Sequence, residues 1–141
     1  MDTMVVVGAL IGRGDAADAR VLRAVATGGV RLAASDEGYK ELSKVLSYEE
    51  VKARITDPVR TFEIALDIGI MGVLYHPRKY DWRIVPDPKD RWLLDLAFES
   101  RADYIVTRDR HFLDIESDLA ELGFAVLTPP DLLHELAIES H

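Results

Sequence analysis

The stretch from Asp87 to Phe112, DPKDRWLLDLAFESRADYIVTRDRHF, constrains the fold more than any other part of the chain. Leu93, Leu94, Ala97 and Phe98 recur at helical spacing and mark a helix packed on a core. Asp90 precedes Leu93, Leu94 and Ala97 by three, four and seven residues, so a helix carries it on the same, buried side. An inward carboxylate is costly unless it is paired, hydrogen-bonded or bound to a cation. The helix ends near Arg101-Ala102, Tyr104 to Thr107 follows as a short β-rich run, and Asp109 stands just beyond it. Ligands of open parallel α/β sheets gather outside the carboxyl ends of strands. One segment thus supplies two acids to a candidate site.

The remaining chain alternates helical and strand patterns. Met4 to Ile11 is an apolar run whose three valines favour a strand, with a buried helix as the other reading. Gly12-Arg13-Gly14 breaks it, and Asp15 caps a helix through about Thr27 that Gly28-Gly29 stops. Val30 to Ala34 reads as a strand. Ser35 then caps a helix whose stripe is Leu42, Val45 and Leu46, with Glu41 on its edge. Tyr48 to Ile55 is a short helix, and Asp57-Pro58 opens another over Val59 to Ile70, leading into Val73-Leu74-Tyr75. His76 to Pro88 is a surface loop with a short Ile84-Val85 strand. A helix over Glu116 to Leu122, a strand over Phe124 to Leu127 and a helix from Pro129 to about Ala137 complete the chain. This alternation implies a mostly parallel sheet covered on both faces, in a single domain over residues 1–141.

Composition narrows the function classes. At 141 residues, 48% hydrophobic and 30% charged, the chain is globular in type, without a membrane-length apolar run or a basic leader. The absence of cysteine excludes disulfides, thiolate nucleophiles and Cys-ligated metals, and suits a reducing cytoplasm. A net charge of −8 argues against non-specific duplex binding, yet a surplus of acids is what a metal-dependent phosphate enzyme needs at its centre.

Asp2, Glu41, Asp90 and Asp109 occupy comparable places: before an apolar run, on a stripe edge, on a buried face and after a strand. Gathered in one pocket they would repel, and their pKa values would rise unless cations neutralised them. Hard oxygen donors suit magnesium or manganese. Each acid has a plainer explanation: a solvated terminus for Asp2, pairing with Lys40 or Lys44 for Glu41, a helix dipole for Asp90 and a turn cap for Asp109. Asp87, Asp95, Asp103 and Asp114 read as structural or surface acids, with Asp114 the first reserve for a fifth ligand. Arg108, Arg110 and His111 surround Asp109, while Arg78, Lys79 and Arg83 decorate the loop. These basic groups suit RNA phosphates, and Trp82 or Tyr80 suits a stacked base. No HExxH pattern and no nucleophile elbow is present.

Several motifs together resemble PIN-domain proteins: Asp2-Thr3 before the apolar run, Ser35 followed by Glu41-Leu42 and Val45-Leu46, Asp87-Pro88-X-Asp90 with Leu93 and Ala97, and Ala102 to Asp109. The closing Leu127-Thr128-Pro129-Pro130-Asp131-Leu132-Leu133 is similar to the end of the toxin-like, VapC-type branch. The resemblance implies a three-layer α/β/α fold with a mainly parallel central sheet. It also implies a magnesium- or manganese-dependent endoribonuclease, the toxin of a toxin–antitoxin pair, leaving a 5′ phosphate and a 3′ hydroxyl. Asp2, Glu41, Asp90 and Asp109 would then be the catalytic metal-site acids, assisted by Thr107 and Ser35. Arg108, Arg110 and Arg83 would contact the RNA substrate, and a small antitoxin and a homodimer would be the protein partners. Two departures stand out: Met4 replaces an asparagine, and the central strand that precedes the first acid is missing or truncated, because only Met1 precedes Asp2.

Two other readings remain. A degenerate PIN domain would bind RNA or protein without cleaving. Val5-Val6-Val7 with Gly8, Gly12 and Gly14, followed by Asp36 after the next strand, mimics a dinucleotide-binding oxidoreductase.

Overall fold

The computed structural model describes residues 1–12 and 16–139. Its first element is a helix, α1 (Thr3–Ile11), where the valine run favoured a strand. The reason lies in what surrounds it. Val5 packs with Val21, Val106 and Leu132, Val6 with Leu10, Leu22 and Ile68, and Val7 with Val45 and Val51. Three successive valines thus enter three different apolar clusters, as in a helix buried on nearly every side. That burial outweighs the few tenths of a kcal/mol, roughly, that each β-branched residue costs a helix. The strand–turn–helix of a dinucleotide site is therefore not what Val5 to Gly12 form, which overturns the oxidoreductase reading.

The helix α2 (Ala17–Ala26) follows, and the expected Asp15 cap and Arg13-Gly14 break lie outside the described residues. Gly28, at φ +81°, turns the chain towards β1 (Leu32–Ser35). Ser35 caps α3 (Asp36–Leu46), its Oγ accepting from Gly38 N–H at 3.1 Å. A short α4 (Glu49–Lys52) leads to α5 (Pro58–Met71), which Asp57 caps through Arg60 N–H at 3.1 Å. β2 (Gly72–Tyr75) then pairs parallel with β1, Leu32 opposite Gly72 and Ser35 opposite Tyr75.

No strand forms at Ile84-Val85. Val85 is buried, but its N–H closes a turn on Trp82 O at 3.0 Å and its carbonyl accepts from Arg91 Nε at 2.9 Å. A single turn of 3-10 helix (Pro88–Asp90) precedes α6 (Trp92–Ser100), which ends at Arg101 in the left-handed region, φ 53°. β3 (Ile105–Val106), α7 (Arg110–Leu113), α8 (Glu116–Glu121), β4 (Val126–Leu127) and α9 (Pro129–Glu139) complete the order, with β3 and β4 parallel.

This is a PIN-like α/β arrangement of short parallel strands between helices. The sheet, expected as one, is two parallel pairs, β1–β2 and β3–β4, not hydrogen-bonded to each other among the described residues. α6 packs on β1 and β2, while α2 packs on α1, α5 and α9. No helix among the described residues is long and apolar enough to cross a membrane.

Candidate metal centre

Asp2, Glu41, Asp90 and Asp109 all line one cavity of about 290 Å³, together with Thr3, Met4, Trp92 and Arg108. Each arrives by a different route. Asp2 stands immediately before α1, and its N–H donates to Val106 O at 2.8 Å, which sets the start of that helix against the end of β3. Glu41 lies half-buried on α3 and pairs with neither Lys40 nor Lys44. Asp109 caps α7, its Oδ1 accepting from His111 N–H at 2.9 Å.

Asp90 departs from its expected place. Asp87 accepts from Lys89 N–H at 3.0 Å and Pro88 tightens the turn, so Asp90 falls in the 3-10 segment rather than on the inner face of α6. It is half-buried at the cavity. The buried acid of α6 is Asp95, whose Oδ1 accepts from Trp82 Nε1 at 2.7 Å and from Tyr80 N–H at 3.0 Å. Asp95 is structural, as expected, and it removes Trp82 from the RNA-stacking role. That indole sits among Tyr80, Phe98 and Phe124 with ring centroids 5.5–5.9 Å apart.

Thr107, fully buried, links two of the acids: its hydroxyl donates to Asp2 Oδ2 at 2.6 Å and accepts from Asp109 N–H at 3.0 Å. Ser35 is committed to capping α3 and does not line the acid cavity. Arg108 lines it at 48% side-chain exposure and directs Nε and Nη2 onto Asp18 Oδ1 at 2.9 and 2.7 Å. Arg110 pairs with Asp114 at 3.5 Å and Arg83 with Asp81 at 3.0 Å, all four exposed and none lining the cavity.

Electrostatics mark the cavity as a place for a cation. Burial pushes Asp2 above the usual carboxylate range, against the Thr107 hydrogen bond and the Met1 amine, and the Asp109 charge adds to the rise. Burial also raises Asp90, reinforced by the charges of Asp87, Asp109 and Asp2, with His111 opposing. The Thr3 hydroxyl, buried on the same cavity, has no hydrogen-bond partner. An unmet hydroxyl among convergent acids fits a hydrated hard cation such as magnesium or manganese, which keeps several waters. Asp90, Asp109 and His111 can each offer one ligand atom, all within 4.8 Å of one another. Sequence reasoning assigned His111 only to phosphates and overlooked Trp92 and Asp18. His111 stands two residues past Asp109, a spacing that a cap turn folds back, with Nδ1 3.4 Å from Asp109 Oδ1.

Comparison with known proteins agrees with this geometry. No curated protein and no solved structure matches the chain. A family model described as a PIN domain matches residues 1–111, which span α1 through the Asp109 cap and hold all four cavity acids, so the chain belongs to the PIN-domain family, whose function is of the nuclease type.

Proposed function

We propose that the chain is an endoribonuclease dependent on magnesium or manganese, acting as the toxin component of a toxin–antitoxin pair. The observation that carries this reading is the convergence of Asp2, Glu41, Asp90 and Asp109 on one cavity. Asp90 and Asp109, helped by Glu41 and Asp2 on the same cavity, would hold one or two ions, which when bound would lower the pKa of water and offset charge on a phosphodiester. Thr107 holds the Asp2 carboxylate and the Asp109 backbone in a fixed relation. Trp92 gives the cavity a flat apolar wall for an unstacked base, and the half-exposed Arg108 beside it suits a phosphate. Arg110 and Arg83 carry exposed ion pairs that RNA phosphates can replace. A recess of this size favours single-stranded or looped RNA over an intact helix. The protein partners that go with the toxin role are a small antitoxin and a second copy of the chain.

One observation favours a second reading, an RNA- or protein-binding module that does not cleave. Met4 is 54% exposed on the wall of the acid cavity, and its thioether cannot order acids or waters as an amide would. Cleavage of a single-stranded RNA with magnesium or manganese separates the two, comparing the natural chain with the Asp90→Asn, Asp109→Asn double variant. Activity that disappears in the double variant supports the nuclease. Equal activity in both removes the acid site from the chemistry, and RNA binding without cleavage in either establishes the binding module.

A further inference from the structure

A second cavity, of about 530 Å³, opens beyond Trp92, and that indole lines both it and the acid cavity. Ser35 and Tyr75, the paired last residues of β1 and β2, bring it to the carboxyl end of that strand pair, where ligands of parallel α/β sheets gather. Its size suits a small organic ligand such as one nucleotide. The aromatic walls are held from behind. Gly38 makes room for the indole, because a Cβ there would lie 3.1 Å from Trp92 Cζ3. Tyr80 is edge-on to Phe98, ring centroids 5.0 Å apart, and its hydroxyl donates to Glu99 at 2.9 Å.

The charged groups of this cavity differ in depth. Lys79 and Lys89 are exposed, and neither makes an ion pair among the described residues. Asp36 and Glu37, exposed at the first turn of α3, leave the lysines as the place for an anion. Asp95 is only 8% exposed. Its bonds from Trp82 Nε1 and Tyr80 N–H both fall on Oδ1. Oδ2 accepts no hydrogen bond among the described residues, where the one sealed side-chain polar atom without a partner is the Thr3 hydroxyl. Oδ2 therefore reaches solvent, through the cavity that Asp95 lines. A deep oxygen that only accepts, below exposed ammonium groups, fits a ligand with a donor at one end and an anion at the other.

We propose that this cavity holds the nucleotide next to the cleaved bond and selects a base with an exocyclic amino group, cytosine over uracil. Asp95 Oδ2 accepts from that amino group, and Lys79 and Lys89 hold the phosphate. The proposal rests on the reading of the chain as a nuclease for single-stranded RNA, whose splayed bases are stacked on aromatic rings and read on their edges. Cytosine presents an N4 amino group where uracil presents a carbonyl oxygen. A carboxylate gains a hydrogen bond from the first and faces a second acceptor in the other. Trp92, shared by both cavities, carries the strand from the acids to this pocket.

The test measures binding without cleavage, in EDTA, by fluorescence anisotropy of labelled oligocytidylate and oligouridylate of equal length. The natural chain is expected to bind oligocytidylate about fivefold or more tightly than oligouridylate. Asp95→Asn keeps an oxygen for Trp82 and Tyr80 and puts an N–H donor in the cavity, so the preference is expected to vanish or reverse. The Lys79→Ala, Lys89→Ala variant is expected to weaken both oligomers alike, by about fivefold or more, and to flatten their salt dependence. Equal affinities in the natural chain, tighter binding of oligouridylate or no binding of either overturns the proposal. A cytosine preference that survives in Asp95→Asn overturns the role of Asp95, and undiminished binding by the lysine variant overturns the phosphate site. Where Asp95→Asn does not fold, the natural chain and the surface lysine variant still decide. RNA cleavage with manganese by a chain without the cytosine preference keeps the nuclease reading and removes this one, while the preference without cleavage does the converse.

Discussion

The Thr107 hydroxyl donates to Asp2 Oδ2 at 2.6 Å and accepts from Asp109 N–H at 3.0 Å, so one buried threonine holds two site acids that lie at opposite ends of the family match. Thr107→Val keeps the shape and removes both bonds. It is expected to cost about 1–3 kcal/mol in a urea melt, because buried polar partners are left unsatisfied, while Thr107→Ser retains most of the stability. A Val variant as stable as the natural chain would show that the hydroxyl is not what holds Asp2.

The raised Asp2 and Asp90 give the metal-free chain a defined pH response. Their folded pKa values exceed the unfolded ones, so the folded chain binds more protons between the two and is destabilised as pH rises through that window. Any stabilisation these two groups give is full below the unfolded values and lost as pH rises through the folded ones. Thermal melts in EDTA should therefore lose less stability over this rise in the Asp2→Asn, Asp90→Asn chain than in the natural one. Added manganese should raise Tm more at neutral pH than in mild acid, where protons compete for the same oxygens. Identical pH profiles in the two chains would contradict the assignment.

Asp90 and Asp95 stand five residues apart and should separate cleanly. Asp95→Ala strips the acceptor from Trp82 Nε1 and Tyr80 N–H and is expected to cost about 3 kcal/mol, with calorimetric manganese affinity retained where the variant is folded. Asp90→Asn should do the reverse, keeping the fold and weakening manganese binding about tenfold or more. Loss of manganese binding in a folded Asp95→Ala chain would move the site inward.

Gly8 is on the inner side of α1 for a steric reason. A Cβ there would collide with the carboxylate of Asp18, the buried partner of Arg108. Gly8→Ala is expected to destabilise the chain by about 1–3 kcal/mol despite the better helix propensity of alanine. In the Asp18→Ala background the same change should cost much less, and a double-mutant cycle measures the coupling. A coupling energy near zero would place the collision elsewhere.

Local signals carried the sequence reading where they named their own partner. Ser35 and Asp57 cap helices because each N–H they serve lies three residues ahead, and Gly28 and Gly123 turn the chain with φ of +81° and +92°. The acids were legible because each stands at an element end, where a side chain faces a cleft rather than a neighbouring turn. Contacts over long separations were not. The helix at Val5 to Val7 depends on clusters contributed by α2, which follows it, and by α3, α4, α5 and α9, which lie far along the chain. Asp18 meets Arg108 across 90 residues, and neither residue type foretells the other. Asp90 moved because a cap and a proline tightened one turn, a difference between 3-10 and α-helix that periodicity does not resolve.

The break between the two strand pairs has a mechanical consequence. One apolar core gathers Leu94, Ile105, Phe112, Leu119 and Phe124, and another gathers Val6, Leu10, Leu22, Leu32 and Ile68. Asp90 and Asp109 ride on elements of the first body, Glu41 on a helix docked to the second, and Asp2 bonds across through Val106 and Thr107. The spacing of the acids is therefore a measure of how the two bodies are seated. Any agent that draws the carboxylates together therefore also ties these two apolar cores to each other.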